Sequence, residues 1–312
     1  MHNSGPRVSI GMPVYNGEKY IEEAIQSILA QSYTDFEFIV SDNASTDRTQ
    51  EICLGYASKD PRVRYCRNSK NLGAAPNYNR AFELSSGEFF KWADYDDMIT
   101  PDFLSKCIDI LDRYPDVVLC YPLSRVIDEN GIILGDYSYK ARADSPEPQI
   151  RFRDFTLNPD AGFQVSGLIR SNAIRRTSLH GNYPASDLVF LAELALIGRL
   201  FELPEYLFLP RYHPDQSTKG AQTVERDRIV FFDTSREGRI TLPKWLLMFG
   251  FLKAIKNGPI GGKAKGYCYF QMVRWVLIPD HLRALGKDVW LALLKLTART
   301  FSKSKERIKQ TA

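Results

Sequence analysis

Three carboxylates stand within four residues at Asp94-Tyr95-Asp96-Asp97, directly after the apolar stretch Phe89–Trp92. Carboxylates this close repel one another and oppose folding unless a cation or hydrogen-bond donors offset them. A hard divalent ion, Mn2+ or Mg2+, bridging to a diphosphate is the natural complement, because such ions take oxygen ligands. A solvated acidic turn, or a helix cap before Pro101, would use the same residues without any chemistry. A second candidate, Gly258-Pro259-Ile260-Gly261-Gly262-Lys263-Ala264, has glycines and a lysine in the manner of a phosphate loop. It is one residue short, has Ala where Ser or Thr is needed, and follows no strand, so it reads as a connection.

The elements that must hold the acidic cluster alternate between two hydrophobic periods. Val8–Val14 reads as a buried strand ending in Tyr15-Asn16-Gly17, and Glu18–Gln31 has apolar residues on one helical face. Phe36–Val40 is a second strand ending at Asp42. A helix starts near Ser45-Thr46-Asp47 and runs to about Lys59. Val63–Cys66, Phe89–Trp92 and Val117–Tyr121 are further strands, separated by helices over Asn77–Leu84 and from Pro101 to Pro115. This β-α-β-α order implies an α/β fold with a mainly parallel, right-handed wound sheet. Ligands in such sheets bind outside the carboxyl ends of the strands. Tyr15-Asn16, Asp42-Asn43 and Asp94–Asp97 all fall there, and their convergence says more than any one cluster.

Later segments are less regular. Residues 124–139 read as a hairpin turning at Glu129-Asn130-Gly131. Residues 140–160 are polar and read as a loop over the site. Asp187–Ile197 reads as a helix closed by Gly198, and Tyr206–Tyr212 as a strand. After about residue 220 the alternation gives way to helices.

In order and spacing, these motifs resemble the family 2 glycosyltransferases, with their nucleotide-sugar-binding GT-A fold. The matching residues are Pro13-Val14-Tyr15-Asn16, Ile39 through Asp47, Asn71-Leu72-Gly73, Asn79, Ser86-Gly87-Glu88-Phe89 and Asp94 through Asp97. The resemblance covers roughly residues 7–218. It implies donor contacts from Pro13, Tyr15, Asn16, Asp42, Asn71, Gly73, Asn79 and Asp94. Tyr15 would offer its ring to a base and Asp42 would accept a uracil N3–H. Asp96 would be the direct metal ligand, with His213 of Arg211-Tyr212-His213 as a further metal or diphosphate contact. Asp187 would be the general base, although an Asp before an apolar helix also suits an N-cap. The chain departs from the family pattern at Asn43, Ala44, Tyr78, Tyr95 and Ser186, where Asp, Gly, Arg, a small residue and Glu are usual. None of these removes a metal ligand.

The implied activity is inverting, metal-dependent transfer from a nucleotide-diphospho-sugar, with a UDP-sugar the favoured donor, to a glycan or lipid-linked acceptor of a bacterial surface glycan. A sugar-nucleotide nucleotidyltransferase is the competing enzyme class. It needs a Gly-rich basic loop after the first strand, where this chain has Tyr15-Asn16-Gly17-Glu18. A non-catalytic membrane-surface protein is the other alternative.

Composition sets the frame. The 312 residues are 44% hydrophobic, which excludes a mainly disordered chain. Five cysteines without a C-x-x-C motif suggest neither a zinc site nor a disulfide framework, and point to a reducing compartment. With a polar N-terminus and no long uncharged apolar run, the expectation is a cytoplasmic protein. The net charge of +4 conceals an asymmetry, because residues 253–312 carry 13 Lys/Arg against 3 Asp/Glu. We therefore divide the chain into a catalytic part, 1–220, and a basic helical extension, 221–312. Leu285, Val289, Leu293 and Leu296 at helical spacing among basic residues suit either an interfacial helix on anionic lipid or a packing helix. Nucleic acid is not an expected partner: the body is acidic and no nucleic-acid motif occurs.

Overall fold

The computed structural model describes residues 5–137, 143–158, 162–214 and 225–310, and side chains for all of these except 225–228 and 298–310. Its strands are β1 (Val8–Val14), β2 (Phe36–Asp42), β3 (Val63–Arg67), β4 (Phe89–Trp92), β5 (Met98–Ile99), β6 (Val117–Ile127), β7 (Ile133–Tyr137), β8 (Leu168–Arg170) and β9 (Arg199–Leu209). They form one sheet in the order β3-β2-β1-β4-β8-β6-β9-β5, with β7 on β6. The half that carries the site, β3-β2-β1-β4, is parallel throughout. Register aligns Val14 with Asp42 and Gly11 with Trp92, so the chain leaves all three strands at one end of the sheet. β8 runs antiparallel to both β4 and β6, and β6 pairs parallel with β9. The expected hairpin forms between β6 and β7, where Asp128 accepts from the N–H groups of Asn130 and Ile132.

The helices are α1 (Ile21–Leu29), α2 (Thr49–Ala57), α3 (Ala74–Glu83), α4 (Phe103–Arg113), α5 (Pro148–Leu157), α6 (Ser171–Ile174), α7 (Ser186–Ile197), α8 (Glu225–Phe232), α9 (Pro243–Asn257), α10 (Gly262–Leu277) and α11 (Pro279–Gln310). Two cores lie on the two faces of the sheet. One packs α1, α2 and α4 against β1, β2 and Phe89; the other packs α5 and α7 against Phe90, Trp92 and β6. Alternation along β4 sends Phe89 and Phe90 to opposite cores, as a period of two requires. The second core continues outward into Leu247 and Phe251 of α9, Met272 and Trp275 of α10, and Leu285 of α11.

One expected loop is corrected. Within 140–160, residues 148–157 form α5, which packs on α7 and α10. Its polar residues misled the periodicity, because Arg151, Asp154 and Thr156 are buried rather than solvated. Arg151 donates to the carbonyls of Ala195 and Ser145, and Thr156 to that of Phe152. Residues 140–142 and 159–160 of that stretch lie outside the described residues. Among the described residues, no helix is long and apolar enough to cross a membrane.

Candidate active site

The acidic loop leaves β4 and is pinned at its start, where Ala93 N–H donates to Gly11 C=O at 2.9 Å. Its far end is tied down by Arg211. The Arg211 N–H donates to Asp97 Oδ1 at 2.8 Å and its Nε to the Asp96 carbonyl at 2.9 Å. The rest of the guanidinium, 0% exposed, reaches the carbonyls of Asp128 and Glu129 and the Glu23 carboxylate at 2.5 Å. One side chain thereby joins the acidic loop, the β6–β7 turn and α1. Two residues on, His213 Nε2 meets Asp96 Oδ2 at 2.9 Å, and its ring packs on Tyr20 with centroids 4.6 Å apart. Tyr78 donates its hydroxyl to Asp94 Oδ1, and its own carbonyl accepts from Trp92 Nε1.

The electrostatics match the repulsion expected of the cluster. Burial pushes the Asp94 carboxyl up to about 6, and the neighbouring Asp96 charge adds to the effect. Burial and the charges of Asp96 and Asp94 hold Asp97 well above the carboxylate range. Lys91 lies beneath the loop between Phe103 and Phe208 and donates to the carbonyls of Ser166 and Trp92. Burial lowers its ammonium to about 8, with the Asp94 charge opposing the shift. The donor set fits a divalent ion: a hard carboxylate oxygen and an imidazole nitrogen share one point, and nearby carboxylates lack a full counter-charge. No three His, Cys, Asp or Glu side chains converge as ligands among the described residues.

A cleft of about 480 Å³ opens over this floor. Pro13, Tyr15, Asn71, Asp94 and Asp96 of the sequence-derived set line it, together with Asn43, Tyr78 and Asp97. Tyr15 is 42% exposed, which leaves its ring free to stack. Four other members of the set support the walls instead. Asp42 is 0% exposed, and its oxygens are taken by Ser45 N–H, Tyr65 hydroxyl and Arg67 Nη1. In this geometry it braces the β2 loop rather than facing a base. Asn16 accepts from Thr46 N–H while its own N–H donates to Ser45 Oγ, which locks the two loops together. Gly73 has φ of +93°, and a Cβ there would meet Phe232 O and Asp233 Cα at 2.7 Å. Asn79 exchanges hydrogen bonds with the main chain of His180. Side-chain type announces a polar role, but it does not say whether the group faces the cleft or the loop behind it.

Asp187 occupies the first turn of α7, after Ala185 in the left-handed region at φ of +63°. Burial raises its carboxyl above the ordinary range, opposed by its own N–H and that of Leu188. The carboxylate stands over Gly162, where an added Cβ would lie 2.7 Å from Oδ2; the next residue, Phe163, lines the cleft. Several contributors were missed from sequence. Val230, Phe231 and Thr234 form a cleft wall, held by Thr234 Oγ1 donating to Asn71 C=O at 2.9 Å and Asn182 Nδ2 to Asp233 Oδ2 at 2.9 Å. No motif marks this wall, because it arises from packing on Gly73 rather than from residue type.

Comparison with known proteins gives the family and the fold. The family model for glycosyl transferase family 2 matches residues 9–183. An uncharacterised glycosyltransferase of Methanocaldococcus jannaschii is 37% identical over 134 residues, spanning 42% of this chain and 46% of the relative. The chain thus aligns to under half of that relative's length. Among solved structures, residues 1–349 of Staphylococcus aureus TarS in complex with UDP-GlcNAc superpose with a TM-score of 0.67 at 16% identity, covering 93% of this chain and 81% of that 1–349 chain. The mannosyltransferase PcManGT of Pyrobaculum calidifontis, in complex with GDP-Man and Mn2+, gives 0.56 at 18% identity, covering 97% and 81%. At such identities the likeness shows the fold, a GT-A sheet with C-terminal helices. With the matched model spanning over half its length, the chain belongs to glycosyltransferase family 2.

Proposed function

We propose that this glycosyltransferase moves a sugar, with inversion, from a nucleotide-diphosphate donor to a hydroxyl of a glycan or lipid-linked acceptor in surface-glycan assembly. The observation that carries the reading is the contact of the buried His213 Nε2 with Asp96 Oδ2, where Asp96 lines the cleft beside Asp94 and Asp97. Asp96 and His213 would hold Mn2+ or Mg2+, whose charge, when bound, stabilises a diphosphate leaving group. Tyr15 stacks on the base, and Pro13 and Asn71 border it. Asp94 orients the ribose and diphosphate region, with Tyr78 fixing its carboxylate. Asp187 takes the proton from the acceptor hydroxyl, and a raised proton affinity suits that work. UDP is the first donor to test; the two structural neighbours, bound to UDP-GlcNAc and GDP-Man, support a sugar nucleotide without choosing the base.

Residues 1–220 carry the reacting groups, and 221–312 complete and place them. Phe270, Val273 and Leu277 of α10 and Leu282, Trp290 and Leu293 of α11 are each more than half exposed. An apolar surface of this kind within residues 253–312, whose balance is +10, suits peripheral contact with an anionic membrane on its cytoplasmic side. Phe270→Ser with Trp290→Ser should reduce sedimentation with phosphatidylglycerol vesicles, and equal sedimentation would remove the membrane reading.

The test of the enzyme is Asp187→Asn. General-base assistance is worth about 10²–10⁴-fold, so turnover should fall by that factor while nucleotide binding persists. An unchanged rate would refute the base assignment. Thermal shift with UDP, GDP and dTDP, with Mn2+ and then with EDTA, identifies the base and the metal requirement. Nucleotide affinity indifferent to EDTA would remove the metal role. Pyrophosphate release from nucleoside triphosphates would instead favour the nucleotidyltransferase alternative.

A further inference from the structure

A second cavity, of about 400 Å³, lies at the other end of the sheet. β8 is antiparallel to both β4 and β6, so β4 and β6 run the same way. The cavity is lined where β6 and β9 begin, by Asp116, Arg151, Arg170, Asn172, Arg176 and Arg199, and so lies opposite the cleft.

Its arginines are unevenly neutralised. Arg199 has a carboxylate partner, with Nε 2.5 Å from Asp116 Oδ2, and Asp144 acts on it from nearby. Arg151 and Arg170 hydrogen-bond only to neutral carbonyls; the Asp116 charge acts on Arg151 without a hydrogen bond, and Arg170 lies over the Phe89 ring. Arg151, 4% exposed, donates from Nε to Ala195 C=O at 2.7 Å and from Nη1 to Ser145 C=O at 2.6 Å. Arg170 donates from Nε to Val117 C=O at 2.9 Å and from Nη2 to the carbonyls of Leu111 and Tyr114. Each guanidinium keeps one terminal nitrogen, Nη2 of Arg151 and Nη1 of Arg170, without a protein partner among the described residues. Arg176 stands exposed at the rim with no side-chain partner among them, beside the exposed amide of Asn172.

Carbonyl groups satisfy hydrogen-bond geometry but leave the net charge in place. Arg151 is buried and Arg170 half-buried; a guanidinium drawn out of water with no carboxylate in contact is costly, and arginine does not escape by losing its proton. We propose that this cavity binds a phosphate-type oxyanion. The two spare guanidinium nitrogens would hold its oxygens from below, and Arg176 and Asn172 would close on it from the rim. Arginine forks match the oxygens of such groups, and the cavity accommodates a phosphate or a pyrophosphate. The site is independent of the donor cleft and needs no metal.

The test is calorimetric titration of the full chain with inorganic pyrophosphate in EDTA. It is repeated on Arg176→Glu and Asn172→Asp, two exposed positions whose change leaves the core intact. One saturable site is expected at millimolar concentration or below. Its Kd should rise about tenfold or more in Arg176→Glu, and also rise in Asn172→Asp, by charge repulsion. Unchanged melting curves without ligand would confirm that both variants fold. No binding by the unaltered chain, or binding indifferent to both substitutions, would overturn the proposal.

Discussion

Replacing Arg211 tests whether the acidic loop is held by the strut described above. Arg211→Met keeps most of the apolar stem and removes every polar contact of the head. The Asp96 carbonyl then loses its donor beneath the loop, at a cost of about 1–3 kcal/mol for a buried acceptor. The Asp128 and Glu129 carbonyls lie in a surface turn and regain water, so they add little. Glu23 is 53% exposed at its side chain and is also rehydrated, which makes that ion pair a small contributor. The guanidinium lies 4.9 Å from the Tyr20 ring centroid, a contact worth about 0.5–2 kcal/mol. Together the loss is about 2–4 kcal/mol. For a chain of this size that corresponds to a melting point lower by roughly 3–6 °C. Arg211→Lys should recover only part, since one ammonium cannot span carbonyls on two sides of the loop. Thermal melting gives the stability arm, and Mn2+-dependent nucleotide affinity reports whether Asp96 remains oriented. A lysine variant matching the unaltered protein in both would refute the strut.

Three other outcomes follow from the site. Asp187 must be ionised to accept a proton, and burial raises its carboxyl, so kcat/KM should fall on acidification through a pH above the ordinary Asp value of about 4; a pH–rate profile checks this. Ala44 lies at φ of +64°, where an L-residue costs about 1–2 kcal/mol. Ala44→Gly should therefore stabilise the chain in urea melts by a net of about 0.5–1 kcal/mol after glycine's own entropy. Phe231 is 42% exposed within the cleft; if it contacts the nucleoside, Phe231→Ala should weaken nucleotide binding about tenfold or more, and Phe231→Tyr should restore it.

Much of the frame was legible because its signals are local. β1 and β4 occur at the residues that hydrophobic runs marked, and α7 begins at Ser186, one residue from the expected start. What escaped has a common cause. β5 and β8 have two and three residues, too few for any period, and exist only through partners far along the chain. α5 buries polar side chains that are satisfied by carbonyls from elsewhere, so its sequence looked like solvent-facing loop. The same limit applies to the site. The acidic cluster and His213 were readable as chemistry, but only tertiary structure separates Asp96, which opens on the cleft, from Asp42, which is sealed behind it. Ala44 and Ala185 carry left-handed backbone that their residue type does not announce.

The core shared by α7 and the last helices bears on how small this enzyme can be made. Phe251 and Trp275 are both almost fully buried, and an aromatic side chain of this kind covers about 150–250 Å². Cutting the chain near residue 240 would therefore not release a tidy catalytic unit. It would bare the outer faces of α5 and α7 and yield a fragment prone to clump. The minimal stable enzyme should extend through α10 at Leu277. Whatever the last helices do elsewhere, their first duty is to keep the helix bearing Asp187 covered.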